Sequence, residues 1–206
     1  MSDRAAIVAQ LRDHLSRVAP VRAAPPVRLP LGVPGLERLV DGWPRPGLAE
    51  VVGAPGRGRI DLLLPALQEL TLNRQTVALI DPVGWLNPPG LRGVDLDFVL
   101  VVRPGATRAA WAAEQLLRCG GVPLVALLDA GSLARSGRRL QHAAEHGDAC
   151  LCVLSERPDP RLPVRLRLEL GGSGRVRVTK GAPRYQGREV QVRPAPALAA
   201  VGRRAP

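Results

Sequence analysis

The sequence predicts a three-layer α/β domain with a mostly parallel central sheet and a small antiparallel extension toward the C-terminus. Three observations lead to this prediction. Apolar strand-like runs alternate with helix-like segments from Leu48 onward. Runs such as residues 77–80 and 123–128 are apolar throughout, as strands covered by helices on both faces must be. After Pro163 the pattern changes to strict alternation, which is typical of strands with one solvated face.

The alternating region contains five predicted strands and three predicted helices. The strands are residues 48–53, 76–81, 98–102, 123–129 and 149–155, and the helices are residues 60–72, 107–119 and 132–146. Thr107 is predicted to cap the second helix, and Gly120 to end it. Residues 164–170 and 175–178 alternate on either side of the Gly171-Gly172-Ser173-Gly174 turn, which predicts a hairpin.

Both ends of the chain are predicted to lie apart from the core domain, which spans residues 31–192. Residues 1–18 form a predicted amphipathic helix, since Ile7, Leu11, Leu15 and Val18 recur at spacings of four, four and three. Residues 19–30 are a proline-bearing tether, and residues 193–206 form a basic, disordered tail. Leu11 and Leu15 are therefore candidate contacts with a partner protein, and packing on the chain's own body is the alternative.

Composition restricts the functions that the chain can have. Among 206 residues, 29 Lys+Arg oppose 18 Asp+Glu, and the formal net charge is +11. Aromatic residues make up only 2%, which argues against a module that stacks single-stranded bases on aromatic rings. The arginines are spread along the chain without a cluster, so contact with DNA stays open. No apolar run approaches the roughly 20 residues of a membrane span. The first 15 residues are charged and periodic, without the unbroken apolar stretch of a signal peptide, so a cytoplasmic location is predicted.

Cysteine and histidine give no sign of a metal site. Cys150 and Cys152 alternate in a predicted buried strand, so both are expected to face one side as core thiols in a reducing compartment. His142 and His146 share a helical face without a third ligand nearby. No metal is predicted.

A glycine-rich segment follows the first predicted strand and leads into a predicted helix. Gly53, Gly56 and Gly58 have the glycine spacing of a phosphate-binding loop, G-x-x-x-x-G-K-[ST], and permit a tight backbone that points N–H groups at a phosphate. Arg59 stands where the lysine should reach the phosphates, and Ile60 replaces the hydroxyl that holds magnesium. A weak phosphate site and a ligand-free turn both remain open.

Colinear segments around this loop resemble RecA-type recombinases. Residues 31–39 resemble the RecA stretch before the phosphate-binding loop, residues 80–88 the segment that carries the catalytic glutamate, and residues 93–97 the stretch that follows it. Residues 124–129 resemble the Walker B strand, which ends here at Asp129. Residues 151–157 resemble the strand that ends in an Asn-Gln pair, and residues 175–183 one of the late strands. The resemblance runs from Leu31 to Val192 and implies a RecA-like P-loop domain.

The same resemblance implies that the catalytic groups have been replaced. Val83 occupies the place of the glutamate that activates water, and Ser155-Glu156 replaces the Asn-Gln pair. The short proline-rich stretch 157–163 replaces the longer DNA-binding loop. Asp129 keeps the Walker B position, although it also suits an ordinary turn at a strand end. The site is therefore interpreted as vestigial, without catalysis and without an ATP or magnesium cofactor.

A short, RecA-like chain with a defective ATPase site resembles the ImuA family, also described as SulA-like or RecA-like. That resemblance implies a damage-inducible adaptor in error-prone translesion synthesis. The implied partners are an ImuB-type protein similar to Y-family polymerases, a DnaE-type error-prone polymerase reached indirectly, and RecA itself. The alternatives are a DNA-dependent ATPase that uses Arg59, an ATP-independent DNA-binding protein and, last, an inhibitor of cell division.

Overall fold

The computed structural model describes residues 28–33 and 35–192. Three α-helices and ten strands are formed within these residues. The helices are α1 (Leu64–Leu72), α2 (Ala109–Arg118) and α3 (Gly137–His146). The strands are β1 (Arg28–Leu29), β2 (Trp43–Pro44), β3 (Gly47–Val52), β4 (Val77–Ile80), β5 (Val99–Val102), β6 (Leu124–Leu128), β7 (Cys150–Ser155), β8 (Leu166–Leu170), β9 (Arg175–Lys180) and β10 (Glu189–Gln191). Short 3-10 helices occupy Leu36–Arg38, Pro88–Gly90, Leu96–Phe98, Ala106–Arg108 and Gly172–Gly174.

Eight of the strands form one sheet in the order β10-β9-β8-β3-β7-β6-β4-β5. Strands β8, β3, β7, β6, β4 and β5 run parallel, whereas β9 and β10 pair antiparallel with their neighbours. The predicted fold class, a mainly parallel α/β sheet with an antiparallel extension, is therefore confirmed. Strands β1 and β2 pair separately.

Each face of the sheet is covered by its own apolar layer. One layer contains Leu67 of α1 together with Leu36 and Trp43, and the other contains Leu117 of α2 and Leu140 of α3. This double coverage explains why the parallel strands β4 and β6 are apolar at every position. Cys150 and Cys152 are buried on the α1 side, as predicted, and burial raises the pKa of Cys150 to about 12.

The predicted strands agree with the structure to within one or two residues, but the helix starts do not. The first helix begins at Leu64 rather than residue 60, because Pro65 has no N–H and its ring excludes a helical carbonyl four residues earlier. Thr107 does not cap α2; it lies inside a 3-10 turn, and α2 begins at Ala109 without a side-chain cap. The third helix begins at Gly137 rather than at Ser132, whose hydroxyl donates to Asp159 Oδ2 at 2.9 Å.

Several predictions concern the ends of the chain. Residues 1–18, with Leu11 and Leu15, and the tail 193–206 lie outside the described residues, so those interpretations stay predictions. Within the predicted tether, Arg28–Leu29 forms a strand against Trp43–Pro44. Gly120 follows Cys119, the C-cap of α2, and has φ +70°, which confirms its predicted role as the helix stop. Among the described helices, none has the length and apolarity needed to cross a bilayer.

Candidate functional site

The candidate site lies where four neighbouring parallel strands end. Strands β3, β7, β6 and β4 present their carboxyl ends at one edge of the sheet, which is where ligands bind in open α/β folds. The loops that follow them carry the glycine segment, the Ser155-Glu156 pair, Asp129 and Val83. The topology therefore gathers most of the sequence-predicted positions at a single edge.

The glycine segment leaves β3 as a tight loop. The Gly53 N–H donates to Ser155 O at 2.9 Å, which ties the start of the loop to the end of β7. Gly56 and Gly58 have φ values of +72° and +86°, in the left-handed region that favours glycine. Residues 59–63 form turns rather than helix. The loop consequently lacks the regular helix start whose N–H groups would complete a phosphate cradle.

Arg59 and Asp129 form a two-pronged ion pair at the centre of this edge. The Arg59 Nη1 donates to Asp129 Oδ1 at 2.6 Å, and its Nη2 donates to Oδ2 at 2.7 Å. The side chains are 8% and 15% exposed. Asp129 itself sits at φ +43° just after β6, and its N–H donates to Leu154 O at 2.9 Å. Both charges are thus compensated within the chain.

This ion pair occupies the two groups that a P-loop enzyme would direct at its ligand. In such enzymes the cationic side chain contacts the β- and γ-phosphates, and the Walker B carboxylate helps to hold magnesium. Here both Nη atoms and both carboxylate oxygens bind each other. A nucleotide would therefore need to open this pair before either group could contact phosphate or magnesium.

Asp81 organises the loop in which Val83 stands. Its carboxylate is buried and accepts the N–H groups of Gly84, Trp85 and Leu86 at 2.8, 3.0 and 2.9 Å. Burial by itself raises the pKa of Asp81, but these three N–H groups and the Arg103 guanidinium outweigh it and lower the pKa below its ordinary value. Val83 is exposed on this turn and, being aliphatic, offers no base for water activation.

Glu50 is a buried carboxylate that the sequence analysis missed. It is 1% exposed on β3 and accepts from Arg167 Nε at 2.5 Å, from Ser155 Oγ at 3.1 Å and from the Asp159 N–H at 3.1 Å. Glu50 and Arg167 are register partners on β3 and β8. The sequence offers two signals of this contact: Glu50 is the one acidic residue in an otherwise apolar strand, and Arg167 lies in an alternating strand. The Ser155 hydroxyl is therefore committed to a structural contact with Glu50.

A cleft of about 550 Å³ opens beside the ion pair. It is lined by the buried Leu133, Val153 and Leu162, by Trp85 and by the loop after β7. A second cavity of about 650 Å³ lies on the outer side of the glycine loop, next to Arg57 and Val192. No group of three or more His, Cys, Asp or Glu side chains converges as a metal site in the described part of the chain.

Comparison with known proteins finds partial sequence similarity to RecA. No protein-family model matches the chain. RecA of Borrelia hermsii is 34% identical over 89 residues, which cover 42% of this chain and 25% of that protein. RecA proteins of Listeria monocytogenes and Listeria welshimeri are 32% identical over 113 residues, which cover 53% of this chain and 32% of theirs. The chain thus spans a quarter to a third of the length of these curated relatives. Together with the mainly parallel sheet, these similarities support a RecA-like family for this chain.

Proposed function

We propose that this RecA-like chain acts in DNA repair as an adaptor without ATPase activity. The observation that carries the proposal is the Arg59–Asp129 pair, because it removes the phosphate ligand and the magnesium ligand in a single contact. Val83 gives further support to the proposal, because an aliphatic side chain at the position of the RecA glutamate cannot act as a general base. Loss of a general base alone typically costs about 10²–10⁴ in rate.

The more specific role rests on the resemblance to the ImuA family. In that role the chain serves damage-inducible, error-prone translesion synthesis in the cytoplasm. It docks on an ImuB-type protein, through which a DnaE-type polymerase is reached, and it contacts RecA. A retained scaffold beside a disabled site supports such a role, because docking needs the surface of the fold and not the chemistry of the loop.

Deletion of the chain's gene tests this role. The deletion strain is expected to lose mutations induced by ultraviolet light while its spontaneous mutation rate stays the same. Complementation with an Arg59→Met, Asp129→Asn double variant, which cannot bind phosphate or magnesium through these groups, should restore the induced mutations. The role is excluded if deletion leaves induced mutagenesis intact, or if a double variant that thermal melting shows to be folded fails to complement.

The net charge of +11 favours a second candidate, ATP-independent DNA binding. Such binding would weaken steeply with salt, since each neutralised phosphate contributes about −0.9 to the slope of log K against log salt. Fluorescence anisotropy with labelled duplex and single-stranded DNA over a salt series distinguishes the candidates. An adaptor that works through protein contacts predicts no sequence-independent DNA complex near physiological salt.

A further inference from the structure

We propose that the cleft beside the ion pair is a docking site for an apolar anchor, an aromatic or branched aliphatic side chain presented by a protein partner. This inference rests on the proposed adaptor function and names the surface that serves it. The cleft volume of about 550 Å³ lies in the range of pockets that enclose small ligands. Its apolar lining combines the buried Leu133, Val153 and Leu162 with the exposed Val83 and Trp85, so an entering apolar group would leave water for a partly apolar surface.

Trp85 gives the cleft a preorganised contact residue. Its side chain is 57% exposed, whereas the turn that carries it is fixed. The backbone N–H groups of Gly84, Trp85 and Leu86 all donate to the buried Asp81 carboxylate. Gly84 adopts φ +82° within the turn. A large ring on a fixed backbone loses little conformational entropy on binding, and tryptophan is enriched among the residues that dominate protein interfaces.

The charges around the cleft favour a protein over a nucleic acid. Four carboxylates line it, on Glu50, Asp129, Glu156 and Asp159, against the two guanidinium groups of Arg157 and Arg161. Glu50 is neutralised by Arg167 and Asp129 by Arg59, neither of which lines the cleft. The surroundings therefore balance to about zero, and a phosphate backbone would find no excess of positive charge there.

Trp111 provides a matched control. It is 58% exposed on α2 and does not line the cleft. Trp85→Ser and Trp111→Ser remove the same ring at almost the same exposure. Each is expected to leave the melting temperature nearly unchanged, since neither ring is part of the core. Thermal melting of both variants verifies that folding is intact.

The binding test uses a random-peptide library displayed on phage and selected against the full chain. A selected peptide is then synthesised with a fluorescein label and titrated by anisotropy. Selected peptides are expected to share an aromatic or branched aliphatic residue. Trp85→Ser is expected to weaken their binding about tenfold or more, as for a dominant interface residue, while Trp111→Ser leaves it unchanged.

Four results would overturn the proposal. They are the absence of any selected peptide, equal losses in both tryptophan variants, displacement of the peptide by oligothymidylate, and self-association of the chain that depends on Trp85. Displacement would assign the cleft to nucleic acid, and self-association would assign it to a second copy of the chain. Sedimentation velocity at several concentrations measures the last of these.

A cellular readout separates failure of the cleft from failure of the adaptor function. If the deletion strain loses induced mutagenesis and Trp85→Ser fails to restore it while Trp111→Ser succeeds, the cleft is the docking site. If both variants restore it, the cleft inference is wrong and the adaptor function stands. If deletion has no effect, the adaptor function itself is wrong.

Discussion

Arg59→Met is the substitution that should reveal what the Arg59–Asp129 pair does for the fold. Methionine keeps an apolar stem of similar reach but removes the guanidinium, which leaves the Asp129 carboxylate 15% exposed and without its partner. Breaking a fully buried pair costs about 3–5 kcal/mol, and the residual exposure lets water relieve part of this. We expect a loss of about 2–3 kcal/mol in the free energy of unfolding, or roughly 4–12 °C in Tm for a chain of this size.

The assay is urea unfolding followed by circular dichroism, applied to a double-mutant cycle. Asp129→Asn alone should also destabilise the chain, because the buried guanidinium then faces a neutral amide. The double variant should be less destabilised than the sum of the two single variants, by about 2 kcal/mol of coupling. Arg135→Met, at an exposed arginine, is the control and should change stability by about 0.5 kcal/mol or less. Additive single effects, or an Arg59→Met loss no larger than the control, would refute the pair's structural role.

Three further predictions concern the loops and the buried acids. Asp81→Asn should lower the free energy of unfolding by about 1.5–3 kcal/mol, since a charged acceptor of three N–H groups is lost. Because folding lowers the pKa of Asp81 from 3.8, the stability that its carboxylate contributes is complete above pH 3.8 and is lost as the pH falls through the lower folded pKa. The difference in unfolding free energy between wild type and variant, measured by urea titration, should therefore narrow in acid and should not widen. Glu50→Gln should lower the free energy of unfolding by about 2–4 kcal/mol, because Arg167 is left without its buried counter-charge. Glu189→Gln, at an exposed pair with Arg177, should lower it by about 1 kcal/mol or less in the same urea titrations. Equal effects of the two substitutions would contradict this ranking. Arg59→Lys with Ile60→Thr should restore measurable magnesium-ATP binding in calorimetry without turnover, because Val83 supplies no base; turnover in this variant would show that another group activates water.

The sequence predicts the sheet well because its central parallel strands are buried on both faces. Residues 77–80 and 124–128 must be apolar throughout, so they stand out from any helix or loop in the chain. The three-residue strand β10 and the two-residue strands β1 and β2 are too short for periodicity to indicate. Helix starts depend on local backbone chemistry, as Pro65 shows by delaying α1 to Leu64.

For the candidate site, the sequence predicts which residues lie there but not how they contact one another. The positions of Gly53, Gly56, Gly58, Arg59 and Asp129 follow from spacing and resemblance, and the fold gathers them at one edge. The contact between Arg59 and Asp129 joins residues 70 apart in the sequence, so no local pattern reports it. Glu50 pairs with Arg167 only because β3 and β8 become neighbours in the sheet. Both contacts depend on strand order, which the spacing of motifs does not contain.

Calorimetric titration of the full chain with ATP and magnesium, with and without single-stranded DNA, shows whether the Arg59–Asp129 pair closes the site to nucleotide. Because Arg59 and Asp129 satisfy each other, we expect no measurable heat of binding at nucleotide concentrations up to about 1 mM, a binding free energy weaker than about −4 kcal/mol. A dissociation constant near 1 μM, about −8 kcal/mol, strengthened by DNA, would contradict it, because the pair would then open for a phosphate and the chain would be a nucleotide-dependent DNA-binding protein.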